Sequence, residues 1–390
     1  MLIGMIATNP RQACESSTAE NGAVNTVPAF SRLLEPGEPI PWFRASFLSA
    51  GQNVPFDKMA GRHILLFLFG TAGIASTAEA LDQVRRAAPL FDGERAIFFG
   101  VSADGSDVTA GRIAMAMPGF HFITDQDRAI SQALGAAAAG SESYRPHWLL
   151  LDPALRILAR FGRTEAAAAI AATAAAVAEP APDIAPVLKI GHVLEPELCR
   201  RLVALYEEQG GIESGVMRQV GGRTVAVMDH RMKRRADCEI EDPALRQAIA
   251  LRIQRRLVPM IQRTFQFEAT RIERYIVACY DAATNGHFNA HRDNTTLGTA
   301  HRRFAVTINL NDDYDGGDLR FPEWGPRTYR APVGGAVVFS CSMLHEATAV
   351  TAGRRYATLP FLYDEPAAAI REANLHSLHG GDAPDQALPA

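Results

Sequence analysis

Tyr280-Asp281-Ala282-Ala283-Thr284-Asn285-Gly286-His287-Phe288-Asn289-Ala290-His291-Arg292-Asp293 is the stretch that decides the reading of this chain, together with His345 and Arg355 further on. A histidine and a carboxylate two residues apart on a strand project to the same face, because side chains alternate with period 2. A second histidine from a distant strand completes two imidazoles and one carboxylate on one side of a metal. That donor set suits Fe(II) and leaves coordination positions open. The surrounding sequence reads as β structure. Phe304, Val306, Ile308 and Leu310 alternate with Ala305, Thr307 and Asn309, Gly316-Gly317 supplies turn chemistry, and Val337-Val338-Phe339 is an apolar strand that delivers His345.

His-x-Asp alone is a common pattern, and the ordered set is what carries weight. Tyr280 lies upstream, Gly316-Gly317-Asp318-Leu319 and Gly334-Gly335 follow, and Arg355 stands ten residues beyond His345 and leads into Tyr356-Ala357-Thr358-Leu359. In this order, over roughly 188–363, the sequence resembles the 2-oxoglutarate- and Fe(II)-dependent dioxygenases, in their prolyl-4-hydroxylase-like branch. The resemblance implies a double-stranded β-helix, or jelly roll, with flanking helices. It implies His291, Asp293 and His345 as ligands of Fe(II), 2-oxoglutarate as cosubstrate with O2, and ascorbate as an accessory. Arg355 is implied as the clamp on the far carboxylate of 2-oxoglutarate, a role that suits the planar guanidinium fork. It is expected on a strand that pairs beside the metal-bearing one, with Arg354 as the runner-up. Tyr280 is implied as the hydroxyl that helps to hold the cosubstrate; the alternative for it is a half-buried strand aromatic.

Asp293 favours hydroxylation, since halogenating relatives carry a small residue at that place. The implied activity is hydroxylation of a C–H bond in a peptidyl or small-molecule substrate, with release of succinate and CO2. An alternative from another class is a non-enzymatic redox or binding protein whose first domain recognises a partner.

That first domain is expected at 30–178. His63-Ile64-Leu65-Leu66-Phe67-Leu68-Phe69 and Ala96-Ile97-Phe98-Phe99-Gly100-Val101 are apolar runs short enough to be buried strands. A helix over about 76–88, capped by Ser76 or Thr77, lies between them. Phe120 to Thr124, a helix from about Asp127, and Trp148 to Leu151 continue an α/β alternation. With Pro36-Gly37, Asp125-Gln126-Asp127 and Arg145-Pro146-His147-Trp148, the order resembles a thioredoxin fold of the peroxiredoxin type, the alkyl hydroperoxide reductase and thiol-specific antioxidant group. That family's peroxidatic cysteine begins the helix after the first long strand, where a helix N-terminus lowers a thiol pKa. Here that place reads Thr71-Ala72-Gly73-Ile74-Ala75-Ser76-Thr77, and no cysteine occurs from residue 15 to 198. The resemblance therefore implies the shell without thiol peroxidase chemistry.

Thr164 to Ala178 is an alanine-rich helix former, and the prolines at 180, 182 and 186 mark a linker over 179–186. The dioxygenase domain is expected at 187–364 and a tail at 365–390. Glu195 to Gln209 and about 243–262 read as helices. The basic run Arg231-Met232-Lys233-Arg234-Arg235 reads as a solvated loop, or else as a rim that meets an acidic substrate. His287 and His301 read as polar loop residues without a paired carboxylate, and Cys341 as a small apolar residue with a weaker claim to approach the metal. No metal is expected at His376 and His379.

A net charge of −4 in 390 residues gives no reason to expect nucleic acid or an anionic membrane as partner. No apolar run approaches the roughly 20 residues of a membrane span, and the N-terminus lacks a signal-peptide pattern. Five scattered cysteines without a Cys-x-x-Cys pair fit reduced thiols and a cytoplasmic setting.

Overall fold

The computed structural model describes residues 31–48, 51–114, 119–179, 184–378 and 386–388. The expectations for residues 1–30, for Cys14, for His379 and for the linker residues 180–183 lie outside the described residues.

A seven-stranded sheet organises the first part of the chain. Its strands are β1 (Arg44–Phe47), β2 (Gly51–Pro55), β3 (His63–Gly70), β4 (Ala96–Ser102), β5 (Phe120–Thr124), β6 (His147–Leu151) and β7 (Ile157–Gly162), in the spatial order β2-β1-β5-β4-β3-β6-β7. Strands β3, β4 and β5 run parallel, and β6 pairs antiparallel to β3. This is a thioredoxin-like arrangement. The apolar run of β3 is unbroken because both faces are covered: Ile64, Leu66 and Leu68 enter one core, and Leu65, Phe67 and Phe69 enter the other. Helices Ala75–Arg86 and Ala166–Ala178 cover the second face.

Two expectations there are corrected. Ile74 occupies the cap of the first helix without a side-chain bond, so neither Ser76 nor Thr77 caps it; Thr77 is buried inside its first turn. The helix expected from Asp127 is the short Ala129–Ala133, cut off where Gly135 adopts a positive φ of 78°.

The other face of the first sheet is closed in part by the second half of the chain. Leu344 belongs to the same core as Ile64, Leu66 and Leu68, and Ala290 packs against it. At the seam Gly61, with φ 91°, comes so close to Pro322 that a Cβ there would lie 2.5 Å from the proline Cβ.

The second half is a jelly roll of two sheets. The smaller is built from Lys233–Arg234, His287–His291, His345–Ala347, Leu319–Arg320 and Thr328–Tyr329, in that order. The larger contains Arg271–Glu273, Ile276–Asp281, Phe304–Asn309, Ala336–Ser340, Val350–Thr358 and Phe361–Tyr363 among its strands. Phe321, Phe339, Cys341 and Phe361 share one buried cluster with residues of both sheets. Helices Pro196–Gln209, Pro243–Arg252 and Val258–Phe265 bury their apolar stripes with residues of the larger sheet.

The long helix expected over 243–262 is interrupted by a π-helical turn at Ile253–Leu257. Pro259 follows in the next turn and has no N–H to donate, which loosens the ladder there. The expected tail is also corrected. Glu365–Asn374 is a helix capped by Asp364, and Gln386–Ala387 pairs with Arg271–Glu273. Among the described residues no helix is long and apolar enough to cross a membrane.

Candidate metal centre

His291 and His345 stand directly opposite each other on paired antiparallel strands. Asp293 lies just past the end of its strand, in a turn held by its backbone N–H donating to Cys341 O at 2.9 Å. The carboxylate therefore joins the two imidazoles from a turn and not from the strand itself. Its oxygens lie 3.5 Å from His291 Nε2 and 3.3 Å from His345 Nε2, and one ligand atom from each residue fits within 4.8 Å of the others. Each imidazole is oriented from behind: Nδ1 of His291 meets Asn289 O at 2.8 Å, and Nδ1 of His345 meets Met343 O at 3.0 Å. Both rings thus turn Nε2 toward Asp293, the arrangement that fixes a ligating tautomer. Burial works against an ionised Asp293, but His345 and His291 outweigh it and hold the carboxyl below its ordinary range. Burial, reinforced by His291, pushes His345 down to about 4, so its ring is neutral and its lone pair is free for a metal.

Tyr280 and Arg355 are register partners on adjacent strands, with the guanidinium 5.1 Å from the ring centroid. The Arg355 strand belongs to the larger sheet and pairs with Ile276–Asp281, not beside the strand that carries His291. This corrects the expected pairing: the arginine faces the metal residues across the barrel. Arg355 is 2% exposed, its Nη2 reaches Asn309 Oδ1 at 3.4 Å, and its Nε is buried without a partner among the described residues. Gly317, with φ 67°, leaves it room; a Cβ there would meet Arg355 Cδ at 3.0 Å. Arg354 points the other way and pairs with Asp281 and Glu207 at the surface.

The triad, Tyr280 and Arg355 line one pocket of about 350 Å³. Its wall also holds residues that sequence reading missed. Lys233 and Arg235 are both 5% exposed and face the pocket while Arg231 is exposed, so this part of the basic run takes the alternative place at a pocket wall and not that of a solvated loop. Its alternation was the available signal: Lys233 and Arg235 are two apart. Arg274 and Arg302 line the same wall, and Asp57 and Lys58 reach it from the first domain. His301 is corrected as well. It is 1% exposed and pairs with Glu273, which also binds Arg302. His287 is buried, with Nδ1 at 2.7 Å from Asn285 O. Cys341 sits in the apolar cluster between the sheets.

Residues 275–363 match the family model described as the 2OG-Fe(II) oxygenase superfamily. A PKHD-type hydroxylase of Synechococcus sp. (strain JA-2-3B'a(2-13)) is 28% identical over 98 residues, which are 23% of this chain and 43% of that protein. The chain thus spans less than half the length of the curated relatives it matches. Among solved structures, a prolyl hydroxylase from Trichoplax adhaerens, in complex with a hypoxia inducible factor peptide fragment, is 19% identical. It covers 47% of this chain and 86% of its own, with a TM-score of 0.36. The bacterioferritin comigratory protein of Xanthomonas campestris is 18% identical and covers 37% of this chain and 99% of its own, with a TM-score of 0.31.

Proposed function

We propose that the protein is an Fe(II)- and 2-oxoglutarate-dependent dioxygenase that hydroxylates a C–H bond. The observation that carries this reading is the convergence of His291, Asp293 and His345, with their ligand atoms within 4.8 Å of one another. Two imidazole nitrogens and one carboxylate oxygen on one side of a cavity are the donor set of non-haem Fe(II) oxygenases. The buried, unpartnered Nε of Arg355 adds a second fit, since a carboxylate is the group that would satisfy it.

In this reading His291 and His345 hold the metal through Nε2 and Asp293 through its carboxylate. With 2-oxoglutarate and O2, the bound Fe(II) supplies the oxidising power that turns C–H into C–OH, with succinate and CO2 released. The rest of the work belongs to the chain. Arg355 fixes the far carboxylate of 2-oxoglutarate, and Tyr280 and Asn309 fix Arg355. Phe339, Leu344 and Phe361 wall the cavity with apolar surface that limits water. The relatives named as hydroxylases support hydroxylation as the reaction class, on a peptidyl or small-molecule substrate. We extend the reading to ascorbate as accessory reductant, and to the cytoplasm, supported by the four free, buried cysteines among the described residues. We take 30–178 as the first domain, 179–186 as the linker and the jelly roll from 187 onward, now continued by the helix after Asp364.

The test is calorimetric titration of 2-oxoglutarate into the protein with and without Mn(II). Metal-dependent binding is expected; 2-oxoglutarate that fails to bind the Mn(II)-loaded protein overturns the reading.

A further inference from the structure

Besides Lys58 and Arg218, six basic side chains line the pocket: Lys233, Arg235, Arg274, Arg292, Arg302 and Arg355. Carboxylates stand among them, and Asp57 takes Arg292 at 3.3 Å. Asp237 takes Arg235 through two hydrogen bonds, of 2.7 and 2.6 Å, and Glu273 takes Arg302. Asp293 belongs to the metal triad. With a metal bound, Asp293 is committed to it, and 2-oxoglutarate commits Arg355. Lys233 and Arg274 are left.

Neither has a carboxylate within ion-pair distance among the described residues. Lys233, 5% exposed, donates from Nζ to Gly215 O at 2.9 Å and lies 5.2 Å from the centre of the Phe288 ring. Arg274 donates from Nε and Nη2 to Leu359 O at 3.1 and 2.8 Å, and lies 4.6 Å from the centre of the Phe361 ring. Carbonyl oxygens and ring faces orient these cations without neutralising them. Arg274 also holds a φ of 71°, a left-handed conformation that is strained for a side chain of this size. Burial and then the neighbouring Arg235 push the Lys233 ammonium down to about 6, with Asp237 and Asp293 pulling the other way. A buried charge without a counterion is costly to the fold, and such groups gather where a ligand supplies the missing partner. Lys58 of the first domain and Arg218 of the hairpin Val216–Val227 also line the pocket, Arg218 paired with Asp229 at 2.5 Å.

We propose that Lys233 and Arg274 form an anion subsite beside the metal centre, and that the substrate carries a carboxylate or phosphate group that seats there. The inference rests on the hydroxylase reading above for the word substrate; the subsite itself does not. The pocket volume of about 350 Å³ lies at the small end of the range for ligand sites, about 300–1,000 Å³, which favours a compact acid or a single acidic residue of a peptide.

The experiment is a calorimetric titration of sulfate into protein saturated with Mn(II) and 2-oxoglutarate, so that Arg355 is engaged. It is repeated on metal-free Arg355→Gln protein, so that failure of the hydroxylase reading leaves the subsite readable. Saturable binding is expected in both forms, weakened at least tenfold by Lys233→Met and by Arg274→Gln and unchanged by the surface substitution Arg200→Gln. Parallel titrations with acetate and inorganic phosphate tell a carboxylate site from a phosphate site by which binds tighter. Absence of saturable binding of all three anions, or wild-type affinity in both variants, overturns the proposal. Lys233→Met should melt no lower than wild type, because it replaces a buried amine that has no carboxylate within ion-pair distance among the described residues. A large fall in its melting temperature would make the ammonium a structural tie to Gly215 and would also overturn the proposal.

Discussion

Arg292 stands between two of the proposed metal ligands, and its guanidinium reaches Asp57 of the first domain, with Nε 3.3 Å from Oδ2. The same side chain binds Glu323 at 2.7 Å, donates to Ser342 O and lies 5.4 Å from the centre of the Trp42 ring. His291 and Asp293 face the pocket while the residue between them faces the neighbouring domain. The strand end at His291 and the turn that carries Asp293 make the metal site and the domain seam two sides of one segment.

Arg292→Leu should therefore damage both. Removing one partner of a buried ion pair typically costs about 3–5 kcal/mol. A lower melting temperature and weaker Mn(II) binding are expected together. Unchanged metal affinity in a folded Arg292→Leu protein would show that the seam does not hold the site.

His291→Ala should reduce Fe(II) or Mn(II) affinity by at least about tenfold, the scale at which even the loss of an outer partner registers. Calorimetric titration measures it. Wild-type affinity in this variant would remove His291 from the ligand set.

Arg355→Gln should raise the apparent KM for 2-oxoglutarate roughly ten- to a hundredfold, as expected for a hydrogen bond to a charged group of about 1.5–3 kcal/mol. Metal binding should stay intact, and Arg355→Lys should do less harm. Arg354→Gln, whose partners Asp281 and Glu207 lie at the surface, should leave the KM alone. Succinate formation against 2-oxoglutarate concentration reads all three variants, and a damaged Arg354→Gln would reverse the assignment.

The first domain should show no peroxidase turnover. Full-length protein assayed with hydrogen peroxide and a thiol reductant should match a Cys14→Ser control at background. Turnover that survives Cys14→Ser would mean that a group other than a thiolate at the helix start reacts with peroxide.

Glu273 sets an acid limit on stability. Burial opposes its charge, yet Arg302 and His301 hold its pKa well below the ordinary value. A depressed folded pKa gives stability that is full above the unfolded value, about 4.3, and is lost as pH falls toward the folded value. Thermal melts from pH 6 to pH 3 should steepen below about 4.5 in wild type, and Glu273→Gln should flatten that limb. An equal slope in both would place the acid sensitivity elsewhere.

Much of this was legible in the sequence because period-2 alternation and fixed spacing are local. The strands Phe304–Asn309 and Ala336–Ser340, and the placing of Arg355 inward and Arg354 outward, follow from which face a residue takes, whereas Asp293 meets His291 from a turn that alternation does not describe. Pairings between distant elements were not legible. Nothing in the local pattern of His301 announces Glu273, which arrives from another strand, and Arg274 looks like any charged residue at a strand edge. The pairing of Gln386–Ala387 with Arg271–Glu273 depends on a partner more than a hundred residues away, so the end of the chain read as a tail. Lys233 and Arg235 were misread because charge runs are usually solvated, and only the jelly roll shows that this one forms a wall.

Where Leu344 enters the same core as Leu66 and Gly61 leaves no space before Pro322, the two halves have a shared history to keep. The first sheet meets the second half through side chains of its own strands. It is held by shape, through the residues next to His291 and His345. Drift at β3 or at Gly61 would have to be matched by drift around Leu344 and Pro322. In a lineage of such fusions, substitutions on the two sides of the seam should appear in pairs, and exchange of either half between distant members should yield poorly soluble chimeras.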